Sequence, residues 1–182
     1  MAKKNRNLGN PNLPTYSTLK EIIVKGTEMG GDKKQFAFLD KNKVEQTRSF
    51  NQTWREMCGI GTYFHTLGLV NQSKIAIVGE NSYDWMIAYY ATLITGNISV
   101  PMDCKLPADD IADQLIRCGC DALVYSDKFE PMVEQFKADP NVPVVFTDKF
   151  TSDKPLGDAD KDGEVNIKDA TAIQKFIAGI AD

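Results

Sequence analysis

An α/β fold, with a partial parallel sheet and flanking helices ahead of a small acidic C-terminal module, is what this sequence predicts. Three observations carry that expectation. From Lys74 onward, short β-branched runs alternate with helical apolar patterns, the signature of βαβ units and parallel strand pairing. The chain has 182 residues, 42% of them hydrophobic and 25% charged, enough apolar content for one ordinary core plus an appendage. Six of its 25 acids but only three of its 21 bases fall in residues 156–182, so most of the net charge of −4 sits in that tail. This balance supplies no long-range attraction for nucleic acid or an anionic membrane surface.

Each element follows from local signals. Thr18 and Glu21 form a T-x-x-E capping box, and Leu19, Ile22 and Ile23 follow at helical spacing, which predicts a helix to about Thr27, before Gly30-Gly31. Gln35 to Leu39 and Val44 to Ser49 flank the polar run Asp40-Lys41-Asn42-Lys43, the pattern of a hairpin. From Asn51, Trp54, Met57, Ile60, Phe64 and Leu67 recur every three to four residues, and Gly68 stands where it can cap that helix. Lys74 to Val78 reads as a strand. Ser82 then caps a helix from Tyr83 to about Thr95, apolar on nearly every side and therefore expected to be buried.

Gly96 stops that helix, and Ile98 to Met102 reads as the next strand. Pro107, Asp109 and Asp110 open a further helix with Ile111, Leu115 and Ile116 on its apolar face. Ala122 to Tyr125 is a strand, Glu130 to Phe136 a helix, and Val142 to Phe146 a last strand. Residues 151–156 form a polar linker containing Pro155, so the expected division is 1–150, a linker 151–156, and a module 157–182.

The ends and the cysteines bound the setting. Met1 to Pro14 carries Lys3, Lys4 and Arg6 with no apolar region behind them, so no signal peptide is read. The longest mainly apolar stretch, Trp85 to Ile94, is about half of what a bilayer crossing requires. A cytoplasmic chain without a membrane span is expected, and in that compartment Cys58, Cys104, Cys118 and Cys120 should be reduced and structural. The sole histidine, His65, lies in an apolar helical run, where packing explains it better than catalysis.

The tail carries the most specific chemistry. Asp158-Ala-Asp160-Lys-Asp162-Gly163-Glu164-Val165-Asn166-Ile167-Lys168-Asp169 has side-chain oxygens at loop positions 1, 3, 5, 9 and 12 and glycine at 6, the spacing of a calcium loop. Carboxylates two residues apart repel one another unless a hard cation gathers their oxygens. The candidate ligands are Asp158, Asp160, Asp162, the Glu164 carbonyl, Asn166 directly or through water, and Asp169. Ile173, Phe176, Ile177 and Ile180 then follow an i, i+3, i+4, i+7 pattern, so the loop should run into an amphipathic helix. The competing reading is a solvated acidic linker, but chance acidic runs rarely place glycine at 6 and an oxygen ligand at 12 ahead of such a helix.

With no good helix before the loop and an aspartate at its twelfth position, residues 157–182 resemble one calcium-binding repeat of a type I dockerin. The resemblance implies a dockerin-type calcium loop and helix, Ca²⁺ as the metal, and a cohesin domain as partner in a polysaccharide-degrading complex, a cellulosome. Dockerins pair two such repeats, whereas this tail holds one, and positions 10 and 11, often a Ser/Thr recognition pair in that family, are Ile167 and Lys168.

A second resemblance covers residues 16–150. Lys74-Ile-Ala-Ile-Val-Gly-Glu-Asn-Ser-Tyr-Asp-Trp85, Ala91-Thr-Leu-Ile-Thr-Gly-Asn-Ile-Ser-Val-Pro-Met-Asp103 and Asp121-Ala-Leu-Val-Tyr-Ser-Asp127 are similar to the beginning of an AMP-forming acyl-CoA synthetase, of the AMP-dependent synthetase/ligase family. Such enzymes activate a carboxylate with ATP and Mg²⁺ and pass the acyl group to coenzyme A. The family's phosphate loop, ribose-binding aspartate and lid lysine have no counterpart here. Gly59-Ile-Gly61-Thr62 falls inside a predicted helix with no lysine behind it, and Gly30-Gly31-Asp32-Lys33 has no phosphate-loop spacing. Trp85 and Tyr89 are expected in the core rather than on a ligand.

The expected protein is thus a truncated acyl-CoA (fatty acid) ligase-like segment, not catalytic alone, with no assigned catalytic residue and a calcium-binding tail. ATP, Mg²⁺ and CoA enter only if missing family segments complete it, for which a complementary synthetase fragment is the implied partner. The alternative is a cohesin-binding dockerin protein with the α/β part as cargo. A recombined reading frame whose two pieces share no function is a third reading.

Overall fold

A computed structural model of the chain describes residues 15–40, 42–142 and 144–147. The tail module, including Asp158, Asp160, Asp162, Glu164, Asn166 and Asp169, lies outside the described residues. Helix α1 (Leu19–Gly30) precedes a hairpin of β1 (Lys34–Leu39) and β2 (Glu45–Ser49), and α2 (Phe50–Thr66) follows. Then come β3 (Lys74–Val78), α3 (Tyr83–Ile94), β4 (Ile98–Pro101), α4 (Ala108–Cys118), β5 (Ala122–Tyr125), α5 (Glu130–Lys137) and β6 (Val145–Phe146). The predicted α/β architecture with a parallel sheet is present.

The caps confirm how local chemistry sets the boundaries. The Thr18 hydroxyl accepts from the Glu21 amide at 3.1 Å, while the Glu21 carboxylate accepts from Ser17 N rather than from Thr18 N. Helix α1 runs three residues beyond Thr27, until Gly31 takes a φ of +54°. Ser49 ends β2 and caps α2 at once, in a reciprocal box with Gln52 that sequence reading left unassigned: Gln52 N donates to Ser49 Oγ, and Ser49 N to Gln52 Oε1. Ser82 caps α3 as expected, accepting from Trp85 N at 3.1 Å.

The four-stranded sheet has the order β4-β3-β5-β6, with every pair parallel. Side chains of β3 and β5 alternate between two cores, as the two-residue strand period requires. Ile75, Ile77, Ala122 and Val124 face α2 and α3, whereas Ala76, Val78, Leu123 and Tyr125 face α4 and α5. Burial on both faces explains why these strands read as continuous apolar runs. The hairpin sits beside the first core, where the Phe38 ring stacks on Tyr83 with centroids 4.4 Å apart.

Two expectations are corrected. Strand β6 pairs only over Val145–Phe146, not from Val142, because Val144 N turns back to Val142 O. The ladder starts where Val145 N reaches Asp121 O. Helix α3 is not buried all round either: Ile87, Ala88, Ala91 and Thr92 are buried, while Trp85, Met86, Tyr89 and Tyr90 are only half-buried. Trp85 and Tyr89 stack on each other at 5.5 Å across one turn of that outer side.

Candidate functional site at the carboxyl edge of the sheet

The order of the strands marks one place on the sheet. From β3 the chain moves to β4 on one side and then crosses back to β5 on the other, so the winding reverses between β3 and β5. In open α/β sheets ligands bind beyond the carboxyl ends of the strands at such a reversal, where the loops diverge. Here those connections are Gly79 to Ser82 after β3 and, after β5, Ser126 with the single 3₁₀ turn Asp127–Phe129.

The two loops are tied by one carboxylate. Ser126 Oγ donates to Glu80 Oε2 at 2.8 Å, and Lys128 Nζ pairs with Glu80 Oε1 at 2.9 Å. The Lys128 and Ser126 hydrogen bonds hold the Glu80 carboxyl below its usual range, and Glu80 in turn raises the Lys128 ammonium. Both side chains are well exposed, so the pair orders the rim more than it stabilises the fold. Beside it, the first turn of α3 opens behind Ser82. The edge therefore presents a carboxylate, an ammonium and hydroxyls to solvent. Among the described residues no group of three His, Cys, Asp or Glu side chains could hold a metal ion.

A second polar cluster is structural. Glu56 on α2 accepts from the Tyr83 hydroxyl at 2.6 Å and from Arg48 Nε at 2.7 Å, and Arg48 lies over the Phe38 and Tyr83 rings. Burial first, and then the Glu56 carboxylate, push the Tyr83 phenol well above its ordinary value, so it stays protonated and donating. This cluster locks hairpin, α2 and α3 together.

Two helical glycines show what their missing side chains admit. A Cβ on Gly61 would lie 2.5 Å from Thr95 Cγ2, and one on Gly30 would lie 2.2 Å from the Phe50 ring. Both glycines admit a neighbouring side chain to a helix rather than turning backbone amides toward an anion. Neither glycine offers the converging backbone amides that a phosphate needs. Cys58, Cys104, Cys118 and Cys120 form no disulfide among the described residues, and burial pushes the Cys120 thiol up to about 11, away from nucleophilic use. His65 sits in the last turn of α2.

Sequence reading assigned no catalytic residue, and its calcium candidates lie outside the described residues. It also missed Glu80, Ser126 and Lys128. Nothing local to Glu80 marks it out. Its partners lie 46 and 48 positions away in the sequence, and only the strand order shows that the two loops meet.

Fold and site thus define an open, doubly wound α/β unit that can position a ligand at its carboxyl edge. Residues 28–175 match the AMP-binding enzyme family, and the chain belongs to it. It is 21% identical over 114 residues to the long-chain-fatty-acid–CoA ligase FadD13 of Mycobacterium tuberculosis, covering 60% of this chain and 23% of that enzyme. It is 26% identical over 100 residues to the fatty acid–[acyl-carrier-protein] ligase ScoC of Streptomyces coeruleorubidus, covering 55% of this chain and 19% of that enzyme. The crystallised N-terminal domain of FACL13 from Mycobacterium tuberculosis superposes with a TM-score of 0.63 at 17% identity, over 74% of this chain and 34% of that domain. The chain therefore spans about a fifth to a quarter of the curated relatives it matches. Among the described residues no helix is long and apolar enough to cross a membrane.

Proposed function

We propose that this chain is the amino-terminal segment of an AMP-forming acyl-CoA or fatty-acid ligase, a scaffold that needs a complementary synthetase segment to bind ATP, Mg²⁺ and CoA. The observation that carries the reading is a family-like α/β unit in which Gly30 and Gly61 make room for neighbouring side chains and not for a phosphate. Adenylation needs preorganised donors and cations around the phosphates, and the described residues hold none in that arrangement. The purified chain should therefore give no ATP–pyrophosphate exchange above background with fatty acids and Mg²⁺. Clear exchange by the chain alone overturns this.

The loop spacing at 158–169 supports a further part of the reading, a dockerin-type Ca²⁺ site formed by Asp158, Asp160, Asp162, the Glu164 carbonyl, Asn166 and Asp169, with a cohesin domain as the candidate partner. Calorimetric titration should show one Ca²⁺ per chain, lost in a variant carrying Asp158→Ala with Asp162→Ala. A flat titration of the parent chain, or binding that survives both substitutions, disposes of the site.

A further inference from the structure

Helix α1 is apolar on two sides. Ile23 and Val24 face the first core. On another side Leu19, Ile22 and Met29 are 52%, 46% and 75% exposed. Their spacing of three and seven residues, with Gly26 between, places them in one stripe along the helix. Together they form one contiguous apolar stripe, at the lower end of the patch sizes that mark interaction surfaces.

We infer that the covering element is this chain's own C-terminal segment 170–181, whose Ile173, Phe176, Ile177 and Ile180 would lie against Leu19, Ile22 and Met29. Size argues against a second copy. Three such side chains offer roughly 300 Å² per molecule, well under the ~800 Å² per partner of a standard interface. A tethered segment needs less area, because its effective concentration is on the order of millimolar. Residues 1–14 are also tethered, but they are mostly polar and include Pro11 and Pro14, with only Leu8 and Leu13 as bulky aliphatic residues. The tail has four large apolar residues at helical spacing, and residues 148–169 can span up to about 75 Å, ample for the return. A helix of about 12 residues is marginal alone, so packing on α1 is what would stabilise it. This docking uses the apolar face of the tail and not its calcium ligands, so the two readings stand or fall separately.

Hydrogen exchange of the 182-residue chain, followed by mass spectrometry, tests the docking. In the parent chain the amides of α1 and of residues 170–181 should both be protected, unchanged on tenfold dilution because the contact is intramolecular. Ile173→Asp with Ile177→Asp should speed exchange of α1 by roughly tenfold while leaving the sheet unchanged. Ile22→Asp with Met29→Asp, at exposed positions that the fold tolerates, should deprotect the tail while calorimetric Ca²⁺ binding stays as in the parent chain. Protection of α1 that vanishes on dilution assigns the stripe to a second copy and overturns the inference. Exchange of α1 that is indifferent to the tail substitutions, or of the tail to the α1 substitutions, overturns it too. Protection in a chain that binds no Ca²⁺ retains the docking and removes only the calcium site.

Discussion

Replacing Leu115 by alanine is expected to destabilise the fold by about 3 kcal/mol, within the roughly 2 to 5 kcal/mol seen when a fully buried leucine is truncated. Helix α4 is attached to the sheet by a narrow seam. Only Ile111 and Leu115, one turn apart, are fully buried, and both have no exposed surface. Around them stand Ala76, Val78 and Leu123 from the strands and Val133 and Phe136 from α5. The strand side chains cannot move inward to close the void, because their backbones are fixed by parallel pairing on both sides of β3. Alanine's better helix propensity returns only a few tenths of a kcal/mol, too little to change the sign. Ile116 supplies the internal comparison: it was expected on the same apolar face but is 48% exposed, so Ile116→Ala should cost under about 0.5 kcal/mol. Urea unfolding of the two variants checks the pair. A Leu115→Ala loss no larger than that of Ile116→Ala would mean α4 is not held by this seam.

Ile116 also shows how far the sequence could be read. Helix α4 was recognisable from Pro107, Asp109, Asp110 and the apolar spacing, because caps and period are local properties. Which side chains of the apolar set reach the core depends on the angle at which the helix lies on the sheet, and that is fixed by other elements. The same division holds elsewhere. The strand Ala122–Tyr125 and the Ser82 cap were legible to the residue, since short apolar runs and capping hydroxyls act within a few positions. Helix α3 looked uniformly apolar, yet Trp85 and Tyr89 lie on a half-buried side because the sheet can cover only one face of it. Lys128, Ser126 and Glu80 are unremarkable polar residues in sequence, and they meet only because the winding reverses between β3 and β5. The candidate site was therefore less legible than the fold that positions it. The glycines went the other way: reading Gly59-Ile-Gly61 as helix interior already argued against a phosphate loop, and the close approach of Thr95 gives the physical reason.

Gly30 tests the packing role of glycine most severely, because two effects of opposite sign compete there. Alanine is the better helix former by up to ~1 kcal/mol, so on propensity alone Gly30→Ala should stabilise α1. A Cβ at that position, however, would lie 2.2 Å from Phe50 Cδ2 and 2.3 Å from Cγ. Contact with Cγ means that rotating the far end of the ring does not relieve the overlap. Nor can the start of α2 withdraw freely, since Phe50 N donates to Lys33 O and Asn51 N to Gly31 O. Overpacking of this kind costs typically 1 to 3 kcal/mol and sometimes more. The clash should win, and Gly30→Ala should lose about 2 kcal/mol. Gly26, one turn earlier against the same ring, isolates the cause, since its added Cβ would sit 4.0 Å from Phe50 Cε1, an ordinary contact. Gly26→Ala should then gain up to ~1 kcal/mol from propensity. The two variants should shift the urea midpoint in opposite directions. If Gly30→Ala matches or exceeds the parent chain in stability, the ring does not occupy the place left by the missing side chain, and the docking of α1 on α2 must rest on Ile23, Val24 and Thr27 instead.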